Sequence, residues 1–340
     1  MQKSLDLKLK NIRENPASLK DFILADAKDA DLAFGLASPG KSVGQANGGE
    51  RFRSLAEFRD QMREIVRQGM VDIMLMSASS SELLALEERL FDNSSVTSAV
   101  RANDTTDIHV IRGGCYSCSP SRPFRSVTIE QIQSGKTQCS EEERKRGPNL
   151  SLYSVTFNNE LDSDHRTLEA YRDFRIEAEQ KGLRHFLEVF DPVVPGAVDP
   201  ELIGHFINDH ITRLLAGVPR AGRPIFLKIA YHGPKSMEDL VHYDPTLVPG
   251  ILGGSSGTTH DAFKLLAEAK KYGARAALFG RKINYAEHQL TFVRFLRGIA
   301  DGELTPEEAV KAYHGELQKM RIPPHRPLES DLKITQPYLG

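Results

Sequence analysis

RHFLEVFDPVVPGAVDPELIGHFINDHITRLLAGVPRAGRPIFLKI, residues 184–229, reads as strand, helix, strand. Arg184 to Phe190 (RHFLEVF) is a mostly apolar run, and Pro224 to Ile229 (PIFLKI) is another. The stretch between them, Asp199 to Leu215, has a helical start signal. Asp199 suits the N-cap, and Pro200 suits the first helical position, where a missing N–H is no loss. Two apolar runs joined by a helix imply parallel strands and a crossover. Parallel strands buried on both faces lose polar alternation, as most of these runs do.

The same alternation extends in both directions. Upstream lie Phe22 to Ala25 (FILA), the amphipathic stretch Arg53 to Gln68, then Val71 to Met76 (VDIMLM) followed by a helix over Ser81 to Leu90. Asp107 to Ile111 (DIHVI) reads as a third strand and Leu152 to Phe157 (LYSVTF) as a fourth, with a helix from Asp164 to Gln180 ended by Gly182. Downstream come a short helix near Ser236 to Val241, a short run Pro249 to Leu252, and a helix Asp261 to Tyr272 closed by Gly273. The run Arg275 to Phe279 (RAALF) and a helix from Tyr285 to Ala300 follow. Eight such units predict an α/β fold, a (β/α)8 TIM barrel, over about residues 20–300 of a single 340-residue domain. An open doubly wound sheet is the rival; it would favour a Gly-rich dinucleotide turn after the first strand, and none is present. Gly113 to Pro148 is long, polar and turn-rich, and reads as an irregular insertion or lid after the third strand, packing over the barrel mouth or between subunits. A C-terminal helix, Pro306 to Lys319, starts at the N-cap Thr305.

The composition, 40% hydrophobic and 26% charged, is that of a globular chain able to bury a large core. A net charge of -2 gives no electrostatic reason to expect nucleic acid or an anionic membrane as partner. No apolar run is long enough for a membrane span, and the N-terminal residues lack the apolar region of a secretory signal. Three cysteines are too few for a disulfide framework, so a cytoplasmic location is expected. Cys115 and Cys118 form C-x-x-C, but no second close pair completes a zinc site, and they read as loop thiols.

In a barrel the functional side chains lie at the C-terminal ends of the strands. ILGGSSGTTHDAF sets Gly253, Gly254 and Ser255 between the seventh run and its helix, and ALFGRK sets Gly280 and Arg281 after the eighth. Glycines let backbone N–H groups approach an oxyanion, and serine and arginine add donors, so these loops could cradle a phosphate; equally, the glycines could simply make tight turns. Lys228 interrupts an apolar strand. Lysine is rarely buried without a role, and only the unprotonated amine attacks a carbonyl. If Leu227 and Ile229 pack outward, Lys228 points into the barrel. Glu188, one strand earlier, could relay protons or simply pair with Lys228. Asp26 and Lys28 end the first run and could contact substrate, and Tyr153 and Tyr231 could donate protons, although buried tyrosine is also common in cores.

Together, Lys228 on the sixth strand, GGSS after the seventh and AALFGRKI after the eighth resemble the class I aldolases of the DhnA, LacD and LsrF type, clearest from about Phe186 to Leu296. The resemblance implies a Schiff-base-forming (β/α)8 barrel with its nucleophilic lysine at Lys228 and a strand-five glutamate at Glu188. It also implies a strand-one aspartate at Asp26 and a phosphate site at the Gly-Gly-Ser and Gly-Arg motifs. Lys282 stands where the family usually has asparagine, and Tyr153 and Ser154 occupy a region where some members have lysine. The expected activity is a carbon–carbon lyase acting on a phosphorylated sugar or keto compound, with no cofactor and no metal, in a homo-oligomer that binds neither nucleic acid nor membrane. The alternatives are a non-catalytic phosphosugar-binding barrel and a metal-dependent enzyme using Asp26, Asp29 and Asp31.

Overall fold

The computed structural model describes residues 1–42, 51–108, 111–254 and 257–339. Eight parallel strands close into a barrel: β1 Ile23–Lys28, β2 Ile73–Met76, β3 Thr97–Arg101, β4 Leu150–Thr156, β5 Arg184–Phe190, β6 Leu227–Ile229, β7 Gly250–Leu252 and β8 Ala276–Phe279. Each pairs with the next along the chain, and β8 closes on β1 with Ile23 opposite Ala276. The fold is a (β/α)8 barrel, as the recurring units predict. Among the described residues no helix is long and apolar enough to cross a membrane.

The third strand is not where its apolar run suggests. Thr97–Arg101 pairs with β2, Ile73 opposite Thr97, and with β4, Val100 opposite Ser151. Within Asp107 to Ile111, Asp107 and Ile108 belong to a single 3-10 turn, Thr106–Ile108, and His109 and Val110 lie outside the described residues. A strand here must lie between two neighbours, and only the earlier segment does. The turn-forming residues at 92–95 (DNSS) mark its start.

The segment Gly113 to Pro148 divides into two parts. Its leading part stays at the C-terminal end of β4. There the Ser121 N–H donates to Asn158 Oδ1 at 2.7 Å, and Asp107 accepts from Ser121 Oγ at 2.8 Å and from Thr156 Oγ1 at 3.0 Å. The remainder forms two short helices, Ile129–Ser134 and Glu141–Lys145, each started by a capping box. Ile129 and Ile132 are buried in the outer core, and Glu130 pairs with Lys181 at the end of helix Leu161–Gln180. This part is a broken crossover helix, not a lid.

Side-chain alternation sorts the core into two layers. Ile23, Ala25, Leu75, Leu152, Phe186 and Phe226 belong to the barrel interior. The N-terminal helix Ser4–Glu14 closes its floor with Leu5, Leu9 and Ile12. Buried Asp72 holds that floor: Lys8 Nζ lies 2.9 Å and Arg297 Nη1 3.1 Å from its carboxylate, and the Leu24 N–H donates to it at 2.8 Å. The alternate residues Leu24, Met74, Met76, Tyr153 and Leu227 pack outward against helices. Helix Pro306–Lys319 forms behind Thr305 as its capping box predicts. The chain beyond it ties back onto the loop after β7: the Thr259 N–H donates to Asp331 at 2.8 Å, and Thr258 Oγ1 donates to the Lys333 carbonyl at 2.8 Å.

Candidate functional site

Inward-facing positions carry the apolar interior up to its mouth, where they become polar. On β5 and β6 the sequence alternates so that Phe186 and Glu188, and Phe226 and Lys228, share the inner face. Glu188 stands directly opposite Lys228 in register. Lys228 Nζ lies 2.5 Å from Glu188 Oε1. The other carboxylate oxygen accepts from Ser154 Oγ of β4 at 2.7 Å and lies 3.4 Å from Arg101 Nη2 of β3. Arg101 also donates through Nη1 to Ser154 Oγ at 2.9 Å and through Nε to Asp29 Oδ2 at 2.5 Å. Asn103 fixes the Ser154 backbone, accepting from its N–H at 2.6 Å and donating to its carbonyl at 2.8 Å. Six side chains, from the barrel strands β3 to β6 and the loops after β1 and β3, thus form one connected polar floor to the mouth.

The charges are mutually dependent. Burial alone would raise the Asp29 pKa, but Arg101 first and then Lys228 hold it below the ordinary carboxylate value. Burial opposes the Arg101 charge, yet Asp29, Glu188 and Asp104 together push its pKa above the usual value. Arg101 is therefore a fixed cation between two acids. Lys228 keeps 8% of its side chain exposed and Asp29 7%, whereas Glu188 keeps 2%, so the carboxylate of Glu188 is more deeply buried than either end of the network.

Other expected site residues fall elsewhere. On β1 the inner face is Ile23, Ala25 and Ala27, so Asp26 and Lys28 point outward and are sealed between barrel and helices. Lys28 donates to Asn284 and, at 2.9 Å, to Gln289, and sits 6.0 Å from the centre of the Phe58 ring. Tyr153 also points outward, stacked on Phe174 at 4.4 Å. Tyr231 follows β6 but turns to Tyr338 of the C-terminal extension, 6.4 Å between ring centres. None of the four joins the Lys228 cluster, because strand parity places each in the helical layer or beyond the strand's end.

Asp26 now has a testable electrostatic role. Its oxygens make no hydrogen bond among the described residues, and Lys28 Nζ lies 3.2 Å away. Burial pushes its pKa up to about 6, against the opposing pull of Lys28. The native state therefore holds this proton better than the unfolded chain does. The resulting stabilisation is fully present in acid and is lost as pH rises through about 6. Relative to Asp26→Asn, the wild type should lose stability between about pH 4 and 7, read as urea midpoints across that range. Parallel pH curves for the two proteins would refute this role.

The glycine motifs have structural reasons of their own. The Gly253 N–H donates to the Leu278 carbonyl at 2.9 Å, and a Cβ there would lie 2.1 Å from the Phe279 ring. A Cβ at Gly280 would lie 2.6 Å from the Ala27 carbonyl. Gly254 has φ +57, and Ser255 lies outside the described residues. Arg281 stacks over Phe34 at 5.0 Å; burial depresses its pKa, and Glu188 is among the groups acting the other way. Phe34 in turn lines a hollow of about 380 Å³ with Asp31, Leu36 and Arg112. Lys282 donates to the carbonyls of Gly257 and Thr258 at 2.7 and 3.2 Å, and burial lowers its pKa to about 8.

Arg101, Ser154, Asn103 and Asp29 were not singled out as the floor of the site. Arg101 could have been found by placing β3 correctly, and Ser154 by applying strand parity next to Tyr153. Asp26, Asp29 and Asp31 do not converge: Asp26 points outward, Asp29 binds Arg101, and Asp31 accepts from Ser77 at 2.6 Å. Among the described residues, no group of three or more His, Cys, Asp or Glu side chains is arranged to hold a metal ion. Cys115 and Cys118 are exposed and Cys139 is half-buried, all as free thiols.

No protein-family model matches the chain, and no curated protein matches it by sequence. Solved structures do. A Schiff-base-forming fructose-1,6-bisphosphate aldolase is 16% identical with a TM-score of 0.59, covering 86% of this chain and 99% of that one. An archaeal fructose-1,6-bisphosphate aldolase, solved with its catalytic lysine bound to the carbinolamine intermediate, is 17% identical with a TM-score of 0.57, covering 87% and 100%. A fructose-bisphosphate aldolase from Slackia heliotrinireducens is 13% identical with a TM-score of 0.62, covering 92% and 91%. At these identities the likeness is one of fold. The similar folds include the class I, Schiff-base barrel aldolases that the sequence motifs resemble.

Proposed function

We propose that the protein is a class I aldolase-like carbon–carbon lyase that forms a Schiff base between Lys228 and the carbonyl of a phosphorylated sugar or keto compound. The observation that carries this reading is the Lys228–Glu188 pair, 2.5 Å apart on the inner barrel face. Glu188 takes the ammonium proton, and the free amine adds to the carbonyl carbon. The resulting carbinolamine loses its hydroxyl as water when Glu188 returns a proton, leaving an iminium. Glu188, now a carboxylate again, takes the proton from the substrate's β-hydroxyl as the adjacent carbon–carbon bond breaks. Its electrons move into the iminium to give an enamine, the hydroxyl carbon leaves as a carbonyl, and protonation and hydrolysis of the enamine free the lysine. Arg101 and Ser154 hold the Glu188 carboxylate in line for these proton transfers. The far phosphate is assigned to Gly254, Ser255, Gly280 and Arg281, with Lys282 steadying the loop. Anchoring a non-reacting group supplies binding energy that orients the reacting carbon.

A non-catalytic phosphosugar-binding barrel is the second reading. It is favoured by the structural reasons already given for Gly253 and Gly280, and by the Lys228–Glu188 ion pair, which a purely structural lysine would also make. Borohydride reduction in the presence of a panel of ketose and aldose phosphates separates the two. The lyase reading expects an intact-mass increase equal to the reduced adduct, mapped to the peptide that carries Lys228. Saturable binding without any adduct supports the second reading instead.

A further inference from the structure

A sizeable cavity lies at the opposite end of the barrel from Lys228. It has a volume of about 820 Å³ and opens beside the plug helix at the N-terminal ends of β5 and β6. The closing turns of helices Leu161–Gln180 and Ile203–Ala216 and the loops leading into β6 and β7 form its walls. Leu183, Leu215, Val218, Phe226 and Val248 give it an apolar body. Phe226 is also part of the barrel floor, stacked on Phe186 at 4.5 Å.

Five arginines surround that apolar body. Arg184 and Arg223 are neutralised within the fold by Asp6 and Asp244, at 2.6 and 3.0 Å. Arg13, Arg175 and Arg220 make no ion pair among the described residues, while Glu179 is the acidic side chain on the lining. Arg175 lies against the wall, with Nη1 3.4 Å from the position a Cβ on Gly222 would take. Its guanidinium lies 5.1 Å from the centre of the Tyr171 ring, and its Nε is buried without a hydrogen-bond partner. Arg13 and Arg220 are exposed. A concave apolar site of this size with a few convergent charged groups has the general character of a small-molecule pocket. Three guanidiniums outside any ion pair outnumber the Glu179 carboxylate, whose Oε2 lies 3.8 Å from that same Gly222 position, so the lining favours an anion, and the fork geometry of arginine suits phosphate or carboxylate.

We propose that this cavity is a second ligand site, for a small organic anion that joins a phosphate-type head to an apolar body. The head is held by Arg175 and Arg220 and the body lies against Leu183, Phe226 and Val248. The site is independent of the lyase reading, since it shares no residue with the Lys228 cluster.

Phenyl phosphate is the minimal probe, with inorganic phosphate and phenol as its separate halves. Calorimetric titration of the full-length protein should give saturable binding of phenyl phosphate and at least about tenfold weaker binding of either half. Arg220→Glu, on an exposed loop where folding is not at stake, should weaken phenyl phosphate by about tenfold or more, and Arg175→Gln likewise. Arg281→Ala, at the opposite face, should leave the affinity unchanged. The proposal is overturned if phenyl phosphate fails to bind in the millimolar range. Unchanged affinity in Arg220→Glu, or loss of binding in Arg281→Ala, overturns it as well; the latter result would place the probe at the barrel mouth.

Discussion

Lys228→Met is expected to abolish borohydride-trapped adducts and to lower lyase turnover by on the order of 10⁵-fold, while the protein still folds. Methionine nearly matches the length of the lysine stem and suits the apolar strand on either side. The change removes the only atom that can form the imine, so no partial activity by the same route survives. The folded state tolerates it because Glu188 is not left bare: Ser154 still donates to it at 2.7 Å, and Arg101 still faces it at 3.4 Å. We expect a loss of about 1–3 kcal/mol, below the roughly 3–5 kcal/mol typical of stranding a buried charge with no partner. Lys28→Met is the matching control. That lysine also ends a barrel strand, but it is fully buried on the outer face beside Asp26. It should lose stability and keep trapping. Adducts that persist in Lys228→Met, or disappear only in Lys28→Met, would move the chemistry away from the inner face and defeat the lyase mechanism.

The contrast between those two lysines shows how far the sequence could be read. A charged residue in an apolar run marks a position that needs explaining, but it does not say which side of the wall the residue is on. Parity says which residues share a side. For β6, Phe226 and Lys228 alternate with Leu227 and Ile229; the sequence leaves open which pair faces the helices, and in the structure it is the aliphatic pair. The same reasoning applied to β1 gives Ile23, Ala25 and Ala27 as one face and Asp26 and Lys28 as the other. Beyond Ile23 the inner face there is built from alanines, so its apolar character is weak and the polar face looks functional in the sequence. The partners that satisfy Lys28, Asn284 and Gln289, lie more than 250 residues away, and no local pattern announces them. Tyr153 and Ser154 make the same point within one strand. The larger, chemically more conspicuous tyrosine packs outward, and the small serine holds the carboxylate. The eight-unit order was legible because strand and helix patterns repeat locally. Arg101 was not, because DIHVI is more continuously apolar than TSAVR, and only the need to lie between β2 and β4 decides between them.

Arg101→Met should produce the largest loss of stability among the site variants, about 3–5 kcal/mol, with a marked fall in turnover. Arg101 neutralises two acids at once, Asp29 at 2.5 Å and Glu188 at 3.4 Å, and both are almost fully buried. Without it, Asp29 has no compensating contact as close, and Glu188 keeps only Lys228 and the Ser154 hydroxyl. The pH dependence follows from Asp29. Its native pKa is held below the ordinary value by Arg101 and Lys228, so the stability it contributes is present above the unfolded value and is lost as pH falls through the native one. The variant lacks most of that contribution. The gap between wild type and variant should therefore be widest near neutrality and close in acid, as urea midpoints would record. Adding Asp29→Asn to Arg101→Met should restore part of the lost stability, since it removes the charge the arginine was compensating. It should not restore turnover, because Glu188 would still lack the guanidinium that shares with Ser154 in setting its position. Arg101→Lys separates charge from geometry: a single ammonium cannot reach Asp29, Ser154 and Glu188 with three separate nitrogens. It should recover much of the stability of Arg101→Met while kcat stays low and KM is little changed. Should Arg101→Lys turn over like the wild type, the arginine's part in holding Glu188 would be disproved, and its role would reduce to neutralising buried charge.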